Sequence, residues 1–123
     1  MNVSAILQEI KASVDGLPAS PNRNAAQKFL TLPDVRLLTA RWNTTQPAAH
    51  WLRIYSAKFD TAAEKKGTLF YGGQELLERL GALPAETPVR MVGFEATGGL
   101  GLFWRDISGA LIGFAIAGAA MSN

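Results

Sequence analysis

Few side chains in this chain could do chemistry, and the most promising three lie near its C-terminal end. Trp104 offers a large aromatic ring, and Glu95 and Asp106 offer carboxylates. A carboxylate held beside apolar walls can act as a general base. We therefore predict Trp104, Glu95 and Asp106 as ligand-binding residues, and we assign no residue a catalytic role.

The chain has one histidine, His50, and no cysteine. A Ser-His-Asp triad would have to use this single ring, and a site built from several histidines is impossible. The absence of cysteine also excludes disulfides, thiolate zinc sites and iron–sulfur clusters. The Gly72-Gly73 pair lacks the other residues of a phosphate-binding loop or a dinucleotide fingerprint. We expect His50 to lie exposed on a helix, and we expect no metal and no cofactor.

The charge pattern disfavours nucleic acid and membranes as partners. The net charge is only +2, and the basic residues are spread along the chain without a block. The apolar stretch 107–121 is too short to span a bilayer. The N-terminal residues resemble no secretory signal, so we expect a cytoplasmic protein. The best basic stripe contains Arg53, Lys58, Lys65 and Lys66 but is interrupted by Asp60 and Glu64.

Residues 89–119 must position the three predicted ligand-binding side chains. They form three apolar runs separated by glycine-containing turns. Two-residue turns at Gly98-Gly99 and Ser108-Gly109 predict an antiparallel meander of three strands. Counting outward from these turns pairs the phenylalanines of the three strands, Phe94 with Phe103 and Phe103 with Phe114. The predicted core face holds Phe94, Phe103, Phe114, Val92, Ile112 and Ile116.

The opposite face of the meander permits two interpretations. The same count places Trp104 between Gly93 and Gly113. Either a helix or a partner subunit packs closely on these small residues, or Trp104 floors a small cleft with Glu95 at its edge. The predicted register places Glu95 about 13 Å along the strand from Asp106, at about 3.3 Å per residue. That separation is too long for the paired carboxylates of a glycosidase.

Helical periodicity predicts helices over residues 4–14, 23–32 and 74–80, and residues 35–43 are rich in strand formers. Residues 46–66 are ambiguous, because their aromatic and β-branched residues suit a hairpin strand as well. We interpret them as a helix because one stripe of apolar residues recurs at helical spacing. The stripe consists of Ala48, Trp51, Leu52, Tyr55, Phe59 and Ala62.

These elements predict an α+β fold in a single globular domain over residues 1–123. A mostly antiparallel sheet, made of the C-terminal three-strand meander and one N-terminal strand, is covered by three to four helices. The composition, 48% hydrophobic and 18% charged, is that of a globular protein.

Two functions remain open at this stage. The uncharged last strand, residues 111–117, is expected at a sheet edge, and a second subunit could cover it. This favours a non-enzymatic binding or interaction module that forms a homo-oligomer. The alternative is a small-molecule pocket, or a weak acid–base enzyme, that uses a cleft over Trp104 and takes a small apolar or cationic ligand. The predicted oligomer interface contains Leu111, Ile112, Phe114 and Ile116.

Overall fold

The computed structural model describes residues 3–38, 42–64 and 70–121, with the side chains of 5–38, 42–58 and 70–121. Four α-helices and five strands lie in these ranges, and the strands form one antiparallel sheet, so the predicted α+β class is confirmed. None of the helices in these ranges combines the length and apolar character needed to cross a bilayer. The elements are α1 (Val3–Asp15), α2 (Pro21–Leu30), β1 (Arg36–Leu37), β2 (Asn43–Pro47), α3 (Ala48–Glu64), α4 (Gly73–Ala82), β3 (Pro88–Ala96), β4 (Gly99–Arg105) and β5 (Leu111–Ala117).

Helices cover both faces of the sheet. On one face, α1 and α2 bury a cluster that includes the three phenylalanines of the meander. On the other face, α3 and α4 bury a second cluster around Trp104. Strands of this sheet therefore present apolar residues on both sides, which explains why their sequences show little alternation.

The predicted register of the last hairpin is confirmed at Phe103 and Trp104 but not at Arg105, and that of the first hairpin is wrong by two residues. Phe103 pairs with Phe114, and Trp104 pairs with Gly113. In the first hairpin, however, the turn lies at Thr97-Gly98, so Phe94 pairs with Gly101 and Trp104 with Met91. A slip of two residues keeps every side chain on its predicted face, because the strand repeat is two.

A β-bulge changes the face of the first residues of β5. The pairing shifts between Trp104 and Arg105, so that Arg105 lies opposite Leu111. As a result Ile112 packs with the cluster around Trp104, and Leu111 packs with the phenylalanine cluster. The prediction that Ile112 belongs to the phenylalanine face was therefore wrong, since one extra residue reverses the faces beyond it.

Within the predicted strand 35–43, only Arg36–Leu37 and Asn43 are strand, and residues 39–41 lie outside the described part. Asn43 begins β2, which continues to Pro47, and both β1 and β2 pair with the same edge of β3. The segment 46–66 is mainly helix, as predicted, although its first two residues complete β2 and residues 65 and 66 lie outside the described part. Of the predicted stripe, Ala48, Trp51 and Tyr55 are buried and Leu52 is partly buried, while the side chains of Phe59 and Ala62 lie outside the described ones.

The contact between α2 and the sheet depends on a ring placed over glycine. Helix α2 begins at Ser20, whose Oγ accepts the backbone N–H of Arg23 at 3.0 Å, and Pro21 fits its first turn. This helix presents Phe29, which is fully buried, to Gly101 of β4. A Cβ atom at Gly101 would lie 2.5 Å from Cε2 of Phe29, so only glycine leaves room for the ring.

We predict that Gly101→Ala destabilises the protein by about 1–3 kcal/mol, because the methyl group must displace the buried Phe29 ring. Urea unfolding followed by circular dichroism measures the change. Gly81→Ala is the matched control: it lies in α4, and the nearest heavy atom to its added Cβ is 3.9 Å away. The control should stabilise the protein by up to about 1 kcal/mol. Equal stability of the two variants would contradict the proposed packing.

Candidate ligand-binding groove

Trp104 lies in the interior and floors no open cleft. Its side chain is 0% exposed, and the rings of Tyr55 and Trp51 meet it edge-on at centroid distances of 5.0 and 6.0 Å. Beside it, a Cβ atom at Gly113 would lie 2.9 Å from Cδ1 of Leu76 in α4. Helices thus pack closely on this face. Replacing Trp104 with Ala would cost about 3–5 kcal/mol of stability, so that variant is no clean test of binding.

Glu95 and Asp106 have structural partners. Glu95 forms an ion pair with Arg36 across β1 and β3, with Nε and Oε1 2.9 Å apart, and the side chains of Arg36 and Glu95 are 61% and 42% exposed. Oδ1 of Asp106 accepts hydrogen bonds from the Ser108 hydroxyl, the Ser108 amide and the Ala110 amide at 2.6, 2.8 and 3.0 Å. The Ser108 hydroxyl contributes most to lowering the pKa of Asp106. A carboxylate stabilised in its charged form is a poor general base.

The predicted ligand-binding residues are not brought together. Glu95 lies opposite Leu100, not Leu102. Along β4, Asp106 follows Leu100 by six residues, a separation of about 20 Å at 3.3 Å per residue. No shared site can form from Trp104, Glu95 and Asp106 in this arrangement.

The four residues of the predicted oligomer interface differ in how deeply they are buried. Phe114 and Ile116 lie in the core of the chain itself, whereas Leu111 and Ile112 are half-buried. Ile116 also exchanges two backbone hydrogen bonds with Tyr71, of 2.9 and 3.0 Å, on the outer edge of β5. Replacing Ile116 with Lys would disturb the core, so that variant cannot report on assembly alone. Self-association stays a prediction.

A groove of about 320 Å³ lies between the edge strand β2 and helix α3. Its floor is formed by sheet residues and its wall by one side of the helix. Pockets of roughly 300 Å³ and more with apolar walls and a few polar groups are typical of small-molecule sites. The lining residues are Trp42, Thr44, Gln46, His50, Trp51, Ile54, Tyr55, Lys58 and Met91.

Trp51 and Tyr55, the aromatic wall of the groove, are held in place by side-chain hydrogen bonds. Helix α3 follows β2 without a loop, and the Ala48 amide donates to the Thr87 carbonyl oxygen at 2.9 Å. One turn into the helix, Nε1 of Trp51 donates to the carbonyl oxygen of Val89 at 2.8 Å. The Tyr55 hydroxyl donates to Sδ of Met91 at 3.6 Å. Both rings therefore hold their positions without a ligand.

The polar groups of the groove come from both elements. His50, Ile54 and Lys58 follow at intervals of four residues, so they share one face of α3. Nδ1 of His50 lies 3.5 Å from a guanidinium nitrogen of Arg53. Thr44 pairs with Met91, so its side chain shares the face that floors the groove.

Burial raises the pKa of Tyr55 above its ordinary value of 10.0, through loss of solvation of the phenolate. The phenol is therefore neutral throughout the physiological range and supplies a hydroxyl without a charge. Lys58 is the one lysine or arginine among the lining residues, and no carboxylate belongs to the lining. The titratable side chains of the lining are His50, Tyr55 and Lys58.

Metal chemistry has no support in the described ranges. No group of three or more His, Asp or Glu side chains is placed there to hold a metal ion. No charged side chain among the described residues is fully buried.

A second cavity of about 320 Å³ lies on the α1–α2 surface, but its lining is less suited to a ligand. It contains one large apolar side chain and no aromatic ring. Its lining residues are Lys11, Asp15, Gln27, Leu30 and Thr31. The groove between β2 and α3 is therefore the better candidate.

Sequence reasoning missed this groove, although one signal was available. We expected His50 to be an exposed residue on a helix, whereas it is half-buried at the groove. The spacing of His50, Ile54 and Lys58 beside the buried stripe of α3 marks a helix face that is neither core nor plain surface. The other side of the groove is β2, whose last two residues were predicted as part of the helix 46–66. The prediction therefore did not place β2 beside α3.

Comparison with models of known protein families, with curated proteins and with solved structures found no match. The functional argument therefore rests on the geometry of the groove.

We predict that Asp106→Ala destabilises the protein at neutral pH, because it removes the acceptor that closes the β4–β5 turn. The lowered pKa of Asp106 means that its charge stabilises the fold above the ordinary aspartate pKa. This contribution is lost as the pH falls through the lowered value. The stability difference between wild type and Asp106→Ala should therefore shrink in acid, as measured by urea unfolding at several pH values.

Asp106→Asn, which keeps an acceptor oxygen but no charge, should lie between the two at neutral pH. A difference that stays constant down to the acid limit would contradict this role.

Proposed function

We propose that this protein is a non-enzymatic binding protein that takes a small molecule with a flat aromatic or apolar body into the groove between β2 and α3. The observation that carries the proposal is the pair of aromatic side chains, Trp51 and Tyr55, that line the groove and are held by their own hydrogen bonds. Because Trp51 is 4% and Tyr55 6% exposed, each ring offers the groove only a small part of its surface, and the half-buried Trp42 and Ile54 supply the rest of the apolar lining. Rings that need no reordering lose little entropy when a ligand contacts them.

The chemistry of the lining supports binding over catalysis. The carboxylates that could act as bases, Glu95 and Asp106, are engaged elsewhere in an ion pair and a turn. The groove itself offers Thr44 and Gln46 as neutral hydrogen-bonding groups. A few polar groups around apolar walls orient a ligand without transforming it.

The test is a pair of adjacent substitutions on β2. Thr44 lines the groove, whereas Thr45 is exposed and points to the other face of the strand. Thr44→Trp should fill the groove, while Thr45→Trp adds the same ring outside it. Tryptophan is a good strand former, so both variants should fold.

We predict that small aromatic molecules found by an NMR fragment screen bind the wild type and Thr45→Trp alike. Thr44→Trp should bind the same molecules at least about tenfold more weakly, a loss of roughly 1.4 kcal/mol. Affinities follow from the concentration dependence of ligand-observed NMR signals, and circular dichroism checks the fold. Hits that bind Thr44→Trp as tightly as wild type, or a screen without hits, would contradict the proposal.

A further inference from the structure

We infer that the ligand of the groove is an aromatic anion, a flat ring system that bears a carboxylate or a similar acidic group. This inference rests on the proposed function and adds the ligand's charge. The described part of α3 that borders the groove, residues 48–58, contains Arg53 and Lys58 and no acidic residue. Lys58 is exposed at the rim and lines the groove.

The sign of the charge at the groove decides whether its aromatic lining favours an anionic or a cationic ligand. Aromatic walls also bind cations, through the negative faces of their rings. A cation in this groove, however, would lie near Lys58, with no carboxylate among the lining residues to offset the repulsion. The carboxylates that favoured a cationic ligand on sequence grounds, Glu95 and Asp106, are placed in other contacts.

The residues on the strand side of the groove also favour an anionic ligand over a cationic one. Thr44 and Gln46 are neutral, and Met91 between the walls is apolar. Arg90, the adjacent basic residue of β3, projects to the opposite face, where its Nε and a terminal nitrogen donate to Oδ1 of Asn43 at 3.1 and 2.9 Å. The positive potential at the groove therefore comes from α3, and Lys58 is the charge in position to meet an anion.

The geometry also separates the roles of the two basic positions. His50 and Lys58 are eight residues apart, about 12 Å at 1.5 Å per residue. One small anionic group cannot contact both. The acidic group is assigned to Lys58, and the imidazole of His50 is left to hydrogen-bond a neutral group at the other end of the ligand.

The experiment uses three naphthalene probes that share one aromatic body: 2-naphthoate, 2-naphthylmethanol and 2-naphthylmethylammonium. Their affinities are measured by ligand-observed NMR for wild type, Lys58→Gln and Lys28→Gln. Lys28 is an exposed residue of α2, on the other side of the sheet, and serves as the matched control.

We predict that 2-naphthoate binds wild type most tightly. Lys58→Gln should weaken 2-naphthoate about fivefold, the upper end for an exposed ion pair, and leave 2-naphthylmethanol unchanged. Lys28→Gln should change neither. Raising the ionic strength should reduce the preference for the anion, since salt screens an exposed charge.

The other outcomes separate the inference from the proposal on which it rests. Equal affinities of the neutral and anionic probes with no effect of Lys58→Gln, or tightest binding of the ammonium probe, would overturn the inference while the groove remains the site. If none of the probes binds but other fragments occupy the groove, the ligand class is wrong. If nothing binds in a manner sensitive to Thr44→Trp, the proposed function fails and the inference fails with it.

Discussion

The packing of helices onto glycine positions of the sheet is the constraint on which the structure depends. On one face the Phe29 ring of α2 occupies the space over Gly101, and on the other Leu76 of α4 lies against Gly113. Gly101 belongs to the central strand β4 and Gly113 to its neighbour β5 at the sheet edge, and a side chain at either would separate a helix from the sheet. Phe29 also contacts the phenylalanine series, with its ring centroid 6.3 Å from that of Phe103. Close packing at these points holds both layers of helices against the strands.

The groove follows from the way in which α3 differs from the other helices. Where α4 lies on glycine, α3 lies on Trp104, and Trp51 and Tyr55 fill the intervening space with edge-on contacts. A small part of each of these two rings also lines the groove. The residues that anchor α3 to the sheet are thus among the residues that a ligand would meet. A ligand in contact with them should stabilise the fold, because it binds only the folded arrangement.

Much of the fold could be predicted from the sequence, because local patterns determine it. The helical stripe of α3 depends on neighbouring residues alone. The second turn, predicted at Ser108-Gly109, lies instead at Ile107-Ser108 within the loop 106–110. The first hairpin could not be decided, because Thr97-Gly98-Gly99 allows a turn at either pair. A slip of two residues preserves the face of every side chain, so hydrophobic patterning cannot detect it. In the structure Gly98 adopts a φ of 84°, the conformation that favours glycine, and Gly99 joins β4.

The candidate site was beyond prediction because its parts are distant in sequence. Trp104 looked like the floor of a cleft since its strand neighbours are small, but the rings that cover it come from residues 51 and 55. Only the tertiary fold shows that these rings seal the interior on one side and line a groove on the other. The faces of the first β5 residues were also beyond prediction, because the bulge after Trp104 reverses them and no local pattern distinguishes Leu111 from Ile112.

The two edges of the sheet differ: the β5 edge is paired with other groups of the chain, and the β2 edge borders the proposed groove. On the β5 edge, Tyr71 pairs with Ile116, and a guanidinium nitrogen of Arg79 donates to the Ile112 carbonyl oxygen at 3.4 Å. The chain's own groups thereby occupy backbone positions that could otherwise pair with another strand. On the β2 edge the strand borders an open groove with fixed aromatic walls and a basic rim. The proposed ligand groove therefore lies at the β2 edge, away from the edge that the chain covers with its own groups.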